Sequence, residues 1–235
     1  MELLTNIGAA KSHIPKSLVS LASLGAWGHH AGNCNQELKA FLGESDYPQP
    51  QQVPINVKVH KPRTRRGFGH SLLQRVMLPF ILPHLVFAFF FSGMRSNFDA
   101  KMFGPEGAED RIHDFWSEVV HRRDPRLARH PMCDKIDWMR RAIPLVIHGD
   151  AVPVVKVGRP GTKSFDCLSW ASLLASGHTL KVKNWMFGLF EQNKGVDTMD
   201  EVWRVLMWSF RALYEGEHPR TDWDGNAWPD KSLEA

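Results

Sequence analysis

The apolar positions of residues 143–175 follow a strand-like pattern. Two short runs rich in Val and Ile occupy 143–148 and 152–157, and an aromatic run follows at 165–175. Short apolar runs bounded by turn residues favour β-strands, and strands joined by short loops pair antiparallel. The pattern predicts an α+β protein in which a small, mainly antiparallel sheet carries packed helices.

Helical spacing recurs on both sides of this sheet. From about Ala108 to Val120, apolar residues fall three and four positions apart, which predicts an amphipathic helix. The segment 134–142 is compatible with another short helix. At 182–190 the apolar and aromatic residues fit a strand or a helix equally well.

The clearest helix is expected near the C-terminal end. Thr198 and Glu201 are spaced as a capping box, and Gly216 is placed to end the helix. Trp203 and Trp208 flank its apolar stripe. Tryptophans at helical spacing belong to a core more often than to a ligand platform, so we expect core positions here.

The window 76–94 is the most apolar part of the chain and allows two interpretations. A membrane-spanning helix needs about twenty apolar residues, and this window nearly qualifies. Pro79 and Pro83 interrupt its first half, and His84 would be costly in hydrocarbon. We therefore expect a short core helix from His84, with Pro83 at its start and no contact with a membrane.

Composition divides the chain into four parts. Residues 1–60 are predicted to form an irregular arm and linker, with a short strand near 55–60. A basic loop and a helical region follow at 61–142. The strands and the capped helix occupy 143–217, and a polar tail at 218–235 is expected to be extended or frayed.

Charge and cysteine content indicate which partners and which cellular compartment to expect. The formal net charge is +4 with histidines neutral, which permits contact with nucleic acid without requiring it. Cys34, Cys133 and Cys167 lie far apart and form no Cys-x-x-Cys pair, so free thiols in a reducing compartment are expected. No secretory signal is recognised, and we expect a nuclear or cytoplasmic protein that is not secreted.

Two basic stretches are candidate phosphate-binding segments. The first is also compatible with a solvated loop or with a nuclear import signal. The candidate residues are Lys61, Arg63, Arg65 and Arg66 in the first stretch and Arg122, Arg123, Arg126 and Arg129 in the second.

Asp150 is the candidate catalytic and metal-binding residue. It stands between the first two strand-like runs, beside Gly149, which allows a sharp bend. A carboxylate delivered at the end of a buried strand is how many α/β enzymes present a metal ligand. The alternative is that Asp150 caps a turn, because Asp next to Gly is common in turns.

Several motifs resemble a large group of repetitive, transposon-like open reading frames. That group is similar in layout to cut-and-paste transposases with an RNase H-like catalytic domain. The resemblance covers roughly residues 76–230 and rests on Leu82–Ala88, Asp114–Trp116, Ile143–Val154, Ser169–Gly177 and Trp203–Gly216.

The resemblance implies a partial RNase H-like α/β core in which Asp150 is the first of three acids. Such acids hold two Mg²⁺ or Mn²⁺ ions that drive DNA strand cleavage or transfer. Asp222, Asp224 and Asp230 lie in the polar tail, so the other two roles are not assigned to them. One carboxylate cannot organise two ions, and the chain is expected to be an inactive fragment when alone.

Three hypotheses follow from the sequence. The first, which we favour, is a transposase-derived catalytic-domain fragment that has little or no activity and whose possible partner is DNA. The second is a non-catalytic nucleic-acid-binding module, and the third is a membrane-anchored protein that uses residues 76–94.

Overall fold

The chain divides into two compact units, Met1–Gln49 and Pro50–Ala235. The first basic stretch, at 61–66, lies outside the described residues. A computed structural model describes residues 47–60, 71–93, 95–104, 109–154, 163–178 and 182–227.

The described part of the second unit contains strands and helices in mixed order, together with two single turns of 3₁₀ helix at Pro131–Asp134 and Glu191–Asn193. The α+β class predicted from the sequence is therefore confirmed. The RNase H-like arrangement stays a prediction. The elements are β1 (Gln51–His60), β2 (Ser71–Phe80), α1 (Pro83–Gly93), α2 (Arg95–Met102), α3 (Glu109–His121), α4 (Trp138–Arg141), β3 (Leu145–Val154), β4 (Lys163–Ser172), β5 (Asn184–Phe190) and α5 (Thr198–Glu215).

The strands β1 and β2 form a two-stranded antiparallel sheet. Val53, Ile55 and Val57 are buried at every second position of β1, as the alternation near 55–60 predicts. The strand begins at Gln51, inside the segment whose composition predicts a linker. Burial of Val53 against the core outweighs the local Pro and Gln content there.

The apolar window 76–94 is split between two elements. Its first residues end β2, and α1 begins at Pro83 as the sequence predicts. His84, Val86 and Phe90 of α1 are buried. Among the described residues, none of the helices has both the length and the apolar character needed to cross a bilayer.

The predicted amphipathic helix is observed as α3. The expected helix at 134–142 is shorter than predicted, because a 3₁₀ turn takes its first residue and only α4 is helical beyond it. Trp116 of α3 joins this region to the chain before β3 by donating its indole N–H to the carbonyl of Ala142 at 2.7 Å.

The strands β3, β4 and β5 form a three-stranded antiparallel sheet in that order. Residues 182–190, which the pattern left open, contribute β5. Trp170 and Phe187 are fully buried on one face of the sheet. The helix α2 packs against β4, and Phe210 of α5 meets Trp170 edge to face, so helices cover this face.

Two expectations about Asp150 are wrong. The runs at 143–148 and 152–157 do not form two strands with a turn at the acid, because β3 continues through it from Leu145 to Val154. The strand is not buried either. Residues 146–153 are exposed, because β3 lies at the edge of the sheet and the row of buried side chains runs along β4 and β5.

The helix α5 has its predicted length but not its predicted cap. Thr198 Oγ1 donates to the carbonyl of Asn56 at 2.6 Å, and the Glu201 carboxylate binds the backbone and side-chain N–H groups of Asn56. Both side chains therefore fasten α5 to β1. Gly216 ends the helix with φ 77°, a left-handed conformation that glycine adopts without strain.

Candidate functional site

Asp150 lies in the middle of an exposed surface. Cys167 stands directly opposite it on β4, and His148 precedes it on the same face of β3. Within the described ranges, no three His, Cys, Asp or Glu side chains are grouped closely enough to hold a metal ion. The catalytic and metal-binding roles of Asp150, with Mg²⁺ or Mn²⁺, stay predictions that rest on this single carboxylate.

The second basic stretch is partly neutralised by its own neighbours. Arg122 donates to Glu118 at 2.6 Å, one helical turn earlier in α3. Arg126 holds Asp124 through both oxygens, and these hydrogen bonds lower the pKa of Asp124 to about 2. Arg123 has φ 53°, in the turn that ends α3. Two of the four predicted phosphate-binding arginines are therefore engaged with carboxylates.

The outward face of α5 lines a concave surface. Arg204, Trp208 and Arg211 follow one another at positions i, i+4 and i+7, so they share one side of the helix. We call the cavity beside them the α5 groove, and its volume is about 700 Å³. It is lined by His130, Pro131, Arg204, Met207, Trp208, Phe210, Arg211, Tyr214 and Trp223.

Trp223, which lines the groove beside α5, comes from the segment expected to be a frayed tail. Thr221 and Ala227 form a β-bridge, and Asp222 accepts hydrogen bonds from the backbone N–H groups of Asp224 and Asn226. For residues 221–227 the prediction of an extended tail is wrong. An Asx-type network closes them into a compact turn, which we call the tail turn.

Aromatic contacts hold the tail turn against α5. The Trp208 indole N–H donates to the carbonyl of Thr221 at 3.1 Å. The rings of Trp208 and Trp223 meet edge to face with centroids 5.8 Å apart. Trp203 and Trp208 are both half-buried, so they lie at the margin of the core.

A buried histidine lies beneath the groove. His84 is only 4% exposed, and its Nδ1 shares a hydrogen bond of 2.8 Å with the hydroxyl of Ser209. Its ring meets Trp208 edge to face at 5.2 Å. Nε2 has no hydrogen-bond partner within the described part of the chain. Burial, and secondarily the neighbouring His218, lowers the pKa of His84 from 6.5 to about 4.

The two arginines of the groove differ in their partners. Arg204 forms an ion pair of 3.1 Å with Asp224 of the tail turn. Arg211 is exposed, and no carboxylate from the described residues pairs with it. The groove therefore contains one guanidinium group that is exposed to solvent, that of Arg211, and one that is already paired with a carboxylate, that of Arg204.

None of these groove residues was predicted from the sequence to belong to a site. The available signal was the spacing of Arg204, Trp208 and Arg211 along one face of a helix whose bounds the sequence predicts. The partner wall could not be found in this way, because Trp223 and Asp224 reach α5 only through the fold of the tail turn.

A second cavity of about 620 Å³ lies near the C-terminal end of α5. Phe87, Trp138 and Ile143 are among its mainly apolar lining residues. Lys135 at its mouth donates to the carbonyl of Tyr214, and its ammonium group lies 3.9 Å from the centre of the Tyr214 ring. This cation is therefore already bound by the protein.

The described elements define a mixed α+β protein with two small antiparallel sheets and a basic, aromatic groove on its C-terminal helix. No family model, no curated protein and no solved structure matches this chain.

Proposed function

We propose that this chain is a nucleic-acid-binding protein that holds a single-stranded segment in the α5 groove. The observation that carries the proposal is the alternation of Arg204, Trp208 and Arg211 along one face of α5. Proteins that bind single strands combine cations that contact phosphates with aromatic rings on which bases stack.

The groove offers both kinds of contact. Trp208, Trp223 and Tyr214 present partly exposed rings. Arg211 is open to solvent, and an arginine binds phosphate oxygens through a planar fork of donors. The groove volume of about 700 Å³ is within the range of small-molecule pockets and is large enough for a nucleotide.

A transposase-type catalytic activity remains a weaker proposal. Its support is the resemblance described above and the position of Asp150 in a sheet. It requires DNA strand cleavage that depends on Mg²⁺ or Mn²⁺ and that Asp150→Ala abolishes. The groove favours binding, because it brings several complementary groups together, whereas the surface around Asp150 offers one carboxylate.

The test compares two partly exposed tryptophans. Trp208 lies in the groove, whereas Trp185 is 38% exposed and stands in the same cross-strand row as His148, near Asp150. Binding of a labelled single-stranded oligothymidylate is measured by fluorescence anisotropy. We expect Trp208→Ala to weaken binding about tenfold or more, because one stacked base contributes about 1–3 kcal/mol. Trp185→Ala should leave the affinity unchanged.

Salt dependence provides the second readout. Arg211→Gln should weaken binding and lower the slope of log affinity against log salt by about 0.7, the value for one phosphate contact on a single strand. Absence of binding, or binding that does not depend on salt, would reject the proposal. A loss caused by Trp185→Ala instead of Trp208→Ala would move the interface to the sheet face that carries Asp150.

A further inference from the structure

The tail turn is rigid enough to hold a charged group in a fixed place. Asp222 accepts from the backbone N–H of Asp224 at 2.9 Å and from that of Asn226 at 2.8 Å. The Asn226 side chain also donates to the Asp222 carboxylate. Gly225 has φ 84°, which a glycine adopts at no steric cost. The position of Asp224 is therefore set by hydrogen bonds that do not involve its own carboxylate.

This fixed position places Asp224 beside Arg204, one of the residues that line the groove. Its carboxylate lies 3.1 Å from the Arg204 guanidinium, and the two side chains are 31% and 50% exposed. Ion pairs that are open to solvent contribute little net stability, because water and salt screen them. An anion of higher charge can therefore replace the carboxylate without disrupting the fold.

From this geometry we infer that Arg204 is a phosphate subsite that the protein's own Asp224 occupies in the absence of ligand. The inference rests on the proposed binding of nucleic acid in the α5 groove. Carboxylate and phosphate oxygens are both anionic acceptors for a guanidinium group, so the contact between one Arg204 nitrogen and one Asp224 oxygen marks where an anionic oxygen can lie. The tail turn is thus a built-in competitor of the ligand.

The spacing of the two arginines defines the ligand further. Arg204 and Arg211 are seven residues apart on α5, which corresponds to about 10 Å along the helix axis. Trp208 lies between them on the same face. The site therefore takes a ligand with at least two phosphates and a base between them, and one of those phosphates displaces Asp224.

The experiment uses the full chain and the same labelled oligothymidylate. Asp224→Asn removes the competing charge and keeps the backbone N–H that holds the turn, and Asp224→Ser tests the same point with another side chain. The matched control is Asp114→Asn, which removes one negative charge from an exposed position on α3. Far-UV circular dichroism confirms that each variant retains its helix content.

We expect Asp224→Asn and Asp224→Ser to tighten binding about threefold or more relative to Asp114→Asn, and to increase the salt dependence because Arg204 gains a phosphate. When Arg204 is also replaced by Ala, Asp224→Asn should no longer tighten binding, since Asp224 affects the ligand only through its contact with Arg204.

Three results would overturn the inference. If the wild type binds and Trp208→Ala weakens binding, but Asp224→Asn equals Asp114→Asn, the proposed function stands and the inference fails. The same holds if the gain persists without Arg204. If neither the wild type nor any variant binds, the proposed function fails together with the inference.

Discussion

The edge strand β3 and the helix α5 present carboxylates in opposite circumstances. Asp150 of β3 faces solvent, with Cys167 opposite it. Glu201 of α5 is engaged by two N–H groups of Asn56 on β1. Asp150, which the sequence places among candidate catalytic residues, is therefore isolated in the fold. Glu201, which the sequence assigns to a local helix cap, instead connects two elements that are distant along the chain.

The same contrast holds for candidate sites. The surface around Asp150 is the edge of a sheet, and helices cover the other face of its neighbours. The α5 groove has two walls, a buried histidine beneath it and complementary charges across it. Concave surroundings exclude water from a bound group, which is why the groove supports binding better than the exposed strand does.

The largest expected effect concerns the histidine beneath the groove. Above pH 6.5, His84 is neutral in both the folded and the unfolded chain. As the pH falls, the unfolded chain takes up the proton near 6.5, while the folded chain resists protonation until about pH 4. The folded state should therefore lose about 3 kcal/mol of unfolding free energy across this window, and the loss should be complete near pH 4.

Urea unfolding at several pH values measures this loss. His84→Asn keeps a polar group near Ser209 but removes the titration, so its stability should fall less on acidification than that of the wild type. Equal losses in both proteins would contradict the assignment to His84. Exchange of the solvent-exposed His148 for Asn serves as the matched control for a His→Asn substitution outside the core.

The next effect tests how α5 is anchored. Glu201→Gln places an amide N–H group against the donors of Asn56 and removes the charge that strengthens both hydrogen bonds. We expect a loss of about 2 kcal/mol in unfolding free energy, measured by urea titration. Glu118→Gln, which changes an exposed acid paired with Arg122, should cost less than about 0.5 kcal/mol. Similar losses in the two variants would mean that the contact with Asn56 does not anchor the helix.

The smallest expected effect is at Asp150. Asp150→Asn should change the unfolding free energy by less than about 0.5 kcal/mol, because the side chain is exposed. Asp150→Val should also leave stability nearly unchanged but promote self-association, since a charge on an exposed edge strand opposes pairing with another edge. Light scattering over a range of concentrations measures this. A strongly destabilised Asp150→Asn variant would show that the acid has a structural partner.

The sequence predicted several elements because their signals are local. The break at Pro83, the amphipathic pattern before His121 and the glycine after Glu215 set the bounds of α1, α3 and α5 within a few residues. These signals arise from proline geometry, helical periodicity and left-handed glycine, which depend on few neighbours. The α+β class follows from the helical and strand-like spacing of apolar residues along the chain.

Other features were decided by contacts between distant segments. Whether the apolar run around Asp150 is buried depends on its place in the sheet, and β3 lies at an edge. Whether Thr198 and Glu201 cap their own helix depends on Asn56, which competes for both side chains.

By itself, then, the sequence determined the helices α1, α3 and α5, most of the strand-forming residues of β3 and β4 and the mixed class of this protein, because period and backbone preference act over a few residues. The tertiary structure alone decided which face is covered and which residues share a groove. Trp208 meets Trp223, and Arg204 meets Asp224, only because the tail turn folds back onto α5. Burial and charge pairing are properties of positions in space, and spacing along the chain does not contain them.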